Sequence, residues 1–325
     1  MRGADRSQNV AKKMIDIWQL ARQNWPLALL LISSAAWLMM SIAGLLFDTR
    51  SVLNAPNWAK SFKFSISMLL YAPAVAWTVG QFRQSAVRRL ANIAGGGVGI
   101  MLLVELVAIL LQTLRGEASH FNVSDGIGVA MWSSMAIAIT LFWCFHAVLM
   151  VLLWRRPGRD AAMTWALRLA FGVSFIGFGQ GFLMTGPTEP QMTAMQAGVF
   201  QSLVGAHTVG APDGGVGLPL LGWSTTHGDL RIGHFIGIHA IQAIPLMGWL
   251  IARNVPALQA RLRLVWLSAA AYLGLMGVAT WQALRGESLV APSALTLLVA
   301  VIAVAGTLLL AALALRVKIN EAAAA

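Results

Sequence analysis

Eight apolar stretches, each close to the ~20 residues that cross a bilayer as a helix, constrain this chain more than any other feature. They run near 27–47, 61–80, 91–113, 127–153, 163–185, 230–251, 262–283 and 292–315. Hydrocarbon offers a backbone amide no hydrogen-bond partner, so stretches of this kind span as helices. The composition agrees: 58% of residues are hydrophobic and 11% charged, against about 25% charged in soluble domains. The expected fold is an all-α integral membrane protein with eight transmembrane helices.

The basic residues orient those helices. Numbered alternately from a cytoplasmic N-terminus, the segments place all but six of the 23 Lys and Arg residues on the inner side. The six outer ones are Arg50, Lys60, Lys63, Arg115, Arg231 and Arg285. This positive-inside bias predicts a multi-pass protein of the bacterial cytoplasmic membrane with both termini inside. It also accounts for the formal net charge of +11 without a nucleic-acid partner. The single cysteine, Cys144, lies in an apolar segment, so neither an internal disulfide nor a zinc-finger pattern is available.

The two halves repeat. Gln112-Thr-Leu-Arg-Gly-Glu117 ends the third segment and Gln282-Ala-Leu-Arg-Gly-Glu287 ends the seventh. Four helices is an even number, which predicts parallel repeats related by an axis along the membrane normal. The organisation is then a cytoplasmic tail over 1–26, with an interfacial helix or a frayed basic stretch at 10–24, a first four-helix repeat over 27–155, a second over 156–318 and a disordered tail over 319–325. The second repeat carries a long outer loop, 186–228, between its first two helices. That loop keeps Val, Leu and Trp among its glycines, which predicts an ordered lid. Gly95-Gly-Gly-Val-Gly99 follows no strand, so it reads as a helix-packing stretch and not a phosphate loop.

Ionisable groups inside a span are costly and face a cavity or one another. Glu105 lies ten residues below Arg115, and His239 ten residues below Asp229, each ~15 Å down at helical rise. Their side chains are therefore expected in one interior cavity, in contact or bridged by water, metal or ligand. Gln242 lies one turn beyond His239. His234 is expected at the entrance with Arg231. His234 and His239 are five residues apart, about 140° around a helix, so one metal cannot take both from one face; a metal needs one of them plus His120, His227 or Glu105. The candidate cofactor site is thus His239, Glu105, His234, His120 and His227, for haem or a divalent metal. The candidate ligand site is Lys63, Arg115, Arg231, Asp229, Arg285 and Gln242. A competing reading has the outer arginines and Lys60 snorkelling to headgroups, with Arg115–Glu117 and Arg285–Glu287 as paired structural turns.

The stretches NWAKSFKFS, RGEASHFN, GAHTVG with PDGG, GWSTTHGDLR running into GHF and HA, and WQALRGE resemble a family of uncharacterised bacterial polytopic membrane proteins over nearly the whole chain. A looser resemblance is to haem A synthase, which has two four-helix halves and haem-ligating histidines on its even-numbered helices. Here the fourth segment has His146 and the sixth His234 and His239, but the second has Lys63 and the eighth no histidine. That resemblance therefore implies neither a complete haem pair in one half nor the synthase reaction.

Three functions follow from these residues: a ligand- or cofactor-binding membrane protein with its polar site in the outer half, a transporter or receptor for a small anionic or lipidic ligand arriving from the outer side, and a scaffold subunit of a membrane complex. The topology is directly testable. Reporter fusions after Arg88 and Arg159 should read cytoplasmic and fusions after Glu117 and Asp213 external; a cytoplasmic long loop would overturn the orientation.

Overall fold

The computed structural model describes residues 22–82, 84–155 and 160–323, with side chains to residue 315. The interfacial helix expected over 10–24 lies almost wholly outside them. The described chain is helical: α1 Trp25–Phe47, α2 Ala59–Gly80, α3 Ser85–Arg115, α4 Gly126–Arg155, α5 Ala161–Gly179, a short α6 Glu189–Gln196, α7 Leu230–Ile238, α8 Ala240–Asn254, α9 Leu258–Leu284 and α10 Ala294–Ala323. Among the described residues, seven helices are long and apolar enough to cross a membrane, and α7 with α8 passes as a bent pair. The protein is a multi-pass helical membrane protein.

Many polar side chains within the spans are satisfied inside the protein, as a lipid solvent favours. The hydroxyls of Ser34, Thr78, Thr113 and Thr280 donate to carbonyls four residues earlier at 2.6, 2.8, 2.9 and 2.8 Å. Ser41 donates to Ser61 across α1 and α2 at 2.8 Å. At the end of the bundle opposite the long loop, Trp154, Trp165 and Trp266 form an aromatic cluster, and the guanidinium groups of Arg168 and Arg253 lie over Trp165 and Trp249. Tryptophan and arginine together suit a membrane–water boundary.

Each half packs in the same order. In the first, α1 touches α2 and α3, α2 touches α3, and α3 touches α4; in the second, α5 touches α7, α8 and α9, both α7 and α8 touch α9, and α9 touches α10. The halves meet through α4 against α5 and α2 against α8. The repeated hexapeptide adopts the same turn twice. Gly116 (φ 73°) and Gly286 (φ 74°) end α3 and α9 in the left-handed region, where glycine carries no Cβ penalty. The following Glu117 and Glu287 amides donate back to Gln112 and Gln282 at 3.0 and 3.2 Å. The two glutamine side chains each donate to the carbonyl six residues on, Ala118 at 3.2 Å and Ser288 at 2.7 Å. The arginines do not match: Arg285 pairs with Glu287 at 2.8 Å, whereas Arg115 pairs with Asp125 at 2.5 Å and not with Glu117.

Where a continuous sixth span was expected, the chain breaks. α7 and α8 meet at 50°, and His239 sits at the junction with φ −84° and ψ 0°. Sharp kinks arise at glycine, at proline or where the helical ladder is interrupted; this one follows Gly233 and Gly237 and precedes Pro245. Glycine also sets how closely α7 approaches α5. A Cβ on Gly177 or Gly237 would overlap the backbone of the other. Likewise Gly99 of α3 faces the Pro26 backbone, where an added Cβ would meet the carbonyl carbon at 2.8 Å.

Gly177→Ala should force α5 and α7 apart, at about 1–3 kcal/mol for an overpacked contact. Gly172, on the same helix, has no atom within 4 Å of an added Cβ. The apparent thermal midpoint should fall by several degrees for Gly177→Ala and stay unchanged for Gly172→Ala; equal midpoints would remove the contact from the account.

Candidate functional site

The long loop between α5 and α7 is folded and tied to both halves of the bundle. Its strand β3 (Thr208–Val209) pairs antiparallel with β4 (Gly228–Asp229), which leads directly into α7. Asp229, 1% exposed, caps that helix and accepts from the Arg231 amide at 3.0 Å. The same carboxylate takes the Arg231 Nε at 2.9 Å and Nη2 at 2.5 Å, and the Ser224 amide at 2.8 Å. A buried carboxylate so fully hydrogen-bonded holds the guanidinium in one orientation. Arg231 Nη2 then donates to the Gly222 carbonyl at 2.5 Å. From the other half, Lys63 Nζ on α2 donates to the neighbouring Leu221 carbonyl at 2.7 Å. One cation from each half thus grips consecutive carbonyls of the loop. Asn54, in the β-hairpin of Ser51–Val52 and Ala55–Pro56, donates to the Gly214 carbonyl.

Beneath the loop lies a cavity of about 660 Å³, lined by α2, α3, α4, α5, α7 and the loop itself. Its deeper wall is apolar and aromatic, with Tyr71, Phe142, Trp143 and Phe178. Its polar lining includes Lys60, Lys63, Glu105, His120, His207, Asp213, Arg231, His234 and His239. Glu105 and His239, from α3 and from the α7–α8 junction, border the same space. Glu105 is 4% exposed; its Oε1 lies 3.4 Å from His120 Nε2, and its buried Oε2 has no hydrogen-bond partner. His239 Nε2 lies 3.4 Å from Ser67 Oγ. His234 is fixed by its Nδ1, which donates to the Gly177 carbonyl at 2.7 Å. Lys60 Nζ stands 5.9 Å from the Phe64 ring.

Of the residues singled out from sequence, Glu105, His120, His234, His239, Lys63 and Arg231 line the cavity; His227, Asp229, Arg115, Arg285 and Gln242 do not. Asp229 acts through Arg231. His227 accepts at Nδ1 from, or donates to, the Thr226 hydroxyl at 3.0 Å. Arg115 also donates to Gln112 Oε1 at 2.6 Å, and Arg285 lies 4.8 Å over the Trp281 ring. Gln242 is half-buried one turn past His239.

Sequence reasoning passed over His207 and Asp213. They sit six residues apart in a Gly- and Pro-rich stretch, and only the turn of that stretch brings them together. His207 Nδ1 donates to Asp213 at 2.7 Å. The Asp213 carboxylate also accepts the backbone amides of His207 at 3.0 Å and Thr208 at 2.8 Å. Burial pushes the His207 imidazole down from its ordinary value; the Asp213 hydrogen bond opposes this, and Arg231 and Lys60 add to the lowering. Burial likewise pushes His120 down, with Lys60, His207 and His234 acting in the same direction. For Asp213, burial acts upward, and the hydrogen bonds from His207 and the backbone amides outweigh it, leaving the carboxyl well below its usual range.

Among the described residues, no three His, Cys, Asp or Glu side chains converge to hold a metal ion. The first half offers only His146 within a span, and both its nitrogens are engaged, Nδ1 with Tyr71 at 2.9 Å and Nε2 with Ser174 at 3.0 Å. His146 is 0% exposed and stacks on Phe171, so it ties α2, α4 and α5 together and is not free to ligate haem. Compared with protein-family models, curated proteins and solved structures, the chain gives no match.

The His207 shift predicts how the loop responds to acid. A folded-state value below the ordinary ~6.5 means that the unfolded loop binds the proton more readily. Stability from the neutral ring is therefore full above about pH 6.5 and is lost as the pH falls below it. Asp213, Arg231 and Lys60 are the charged groups that act on this ring, and the His120 and His234 imidazoles are the titratable neighbours coupled to it. Amide exchange at His207 and Thr208, corrected for intrinsic rates, should accelerate from pH 7.5 to pH 5; equal protection at both values would remove His207 from control of the loop.

Proposed function

We propose that this is a ligand-binding protein of a bacterial cytoplasmic membrane, and that it takes an amphiphile with an anionic head from the outer side. Its spans number eight, in two parallel repeats, with both termini in the cytoplasm and the long loop outside. The packing order shared by the halves and the doubled Gln-x-Leu-Arg-Gly-Glu turn support the repeat; the basic residues support the orientation. The observation that carries the functional reading is that Lys60, Lys63 and Arg231 border one largely apolar, aromatic-walled cavity. A volume of about 660 Å³ lies within the ~300–1,000 Å³ of small-molecule sites. Arg231 is paired with Asp229, whereas among the described residues Lys63 Nζ donates to a carbonyl and Lys60 Nζ lies over a ring face, with the Glu105 and Asp213 carboxylates acting on Lys60 only through space. An anion completes the coordination of these lysines, and the aromatic wall takes an alkyl or isoprenoid chain.

The break at His239 favours a second reading, transport of that ligand, since interrupted helices line the sites of many transporters. The break has no counterpart in α2, which runs unbroken past Pro73.

Purified protein should bind a dansyl-labelled fatty acid and discriminate against its methyl ester. Each charge-assisted hydrogen bond contributes about 1.5–3 kcal/mol, so Lys60→Met with Lys63→Met should weaken the acid at least about tenfold and leave the ester unaffected. Equal affinity for acid and ester in the unaltered protein would defeat the anionic-head reading.

A further inference from the structure

The polar end of the cavity holds more than is needed to bind an anion. Two histidine–carboxylate pairs border it, Glu105–His120 from the first half and His207–Asp213 from the loop. Between their rings sits Phe121, with centroids 6.0 Å from His120 and 4.9 Å from His207. Phe121 is buried and holds φ 65°, a backbone state that costs a bulky residue and marks functional sites when surroundings enforce it. Here they do: its carbonyl accepts the Val204 amide at 2.9 Å, and the Val123 amide donates to Ser202 at 2.8 Å. The strained segment is thereby laced to the loop that carries His207.

We propose that this is the active site of an esterase-type hydrolase, in which His207, oriented by Asp213, is the general base that activates water against an ester bond at the anionic head of the bound amphiphile. The proposal rests on the binding reading above. A carboxylate can only accept, so the hydrogen lies on Nδ1 of His207 and the lone pair on Nε2. Nε2 has no hydrogen-bond partner among the described residues, and the ring borders the cavity. Nε2 takes a proton from water as the water oxygen bonds to the phosphorus of a phosphate ester, whose ionised oxygen is the anionic head. The bond to the alcohol oxygen then breaks, and Nε2 returns the proton to that oxygen. Ester and water become acid and alcohol. Asp213 stays ionised throughout and holds the Nδ1 hydrogen, as an orienting carboxylate does. Lys60, Lys63 and Arg231 stabilise the negative charge that grows on the ester oxygens. The lowered proton affinity of His207 keeps its base form available at neutral pH.

A clamp that merely closes the 207–213 turn would use only Nδ1, and one substitution separates the two roles. His207→Asn keeps a side-chain N–H for Asp213 and removes Nε2. Unaltered protein and His207→Asn should be purified from the same cells and their bound amphiphiles identified by mass spectrometry. The variant should carry an intact ester, and the unaltered protein the corresponding acid or nothing. The ester extracted from the variant, returned to the unaltered protein in ¹⁸O-water, should release acid with one ¹⁸O, at least about 100-fold faster than with His207→Asn. The same ester on both proteins, or no ¹⁸O in the acid, overturns the hydrolase. A variant with normal melting and amide protection at Thr208 shows that the clamp is intact. If neither protein carries an amphiphile and neither binds the dansyl fatty acid, the binding reading itself fails, and the hydrolase with it.

Discussion

A charge buried in the protein has to be answered from within it, and most of the loop-bearing end follows from how Asp229, 1% exposed, and Arg231 answer each other. A buried ionised carboxylate left without partners is costly wherever water is excluded. Asp229 avoids that cost by accepting from the Arg231 backbone and side chain and from Ser224. The pair starts α7, ends β4 and fixes the guanidinium beside Gly222. Without that pair the loop loses one of its anchors on the second half, the others being β3 against β4 and the Ser288 hydroxyl on the Ser224 carbonyl.

Closure over the cavity is then shared. Lys63 belongs to α2 and Arg231 to α7, yet they hold adjacent carbonyls of one loop segment. Carbonyl oxygens are modest partners for an ammonium, and the oxygens of an anionic head such as the one proposed above would offer a full opposite charge in their place. The contacts that close the loop over the cavity are in this way the ones a bound anion would compete for.

Small residues set how closely α5 and α7 approach beside the cavity. Gly177 against Gly237 brings α5 onto α7 with no side chain between them, which sets His234 against the Gly177 carbonyl. The break one turn later turns His239 toward Ser67 of the first half. Deeper, His146 spends both nitrogens on Tyr71 and Ser174, so a polar group in mid-membrane serves packing.

The amino-acid sequence alone determined that the chain crosses a membrane as helices, because apolar runs near 20 residues leave the backbone no other way to be satisfied. It also marked Glu105 and His239 as residues worth following, since depth makes an ionisable group expensive wherever it points. Facing is another matter: a helical period says which residues share a side, not what that side meets, and only packing brought Glu105, His120, His234 and His239 to one cavity and left His227 and Arg285 outside it. His207 and Asp213 were illegible for a related reason. Loop residues carry no periodicity, so their meeting depends on β3 pairing with β4 and on the turn between them, contacts between residues that no local pattern links.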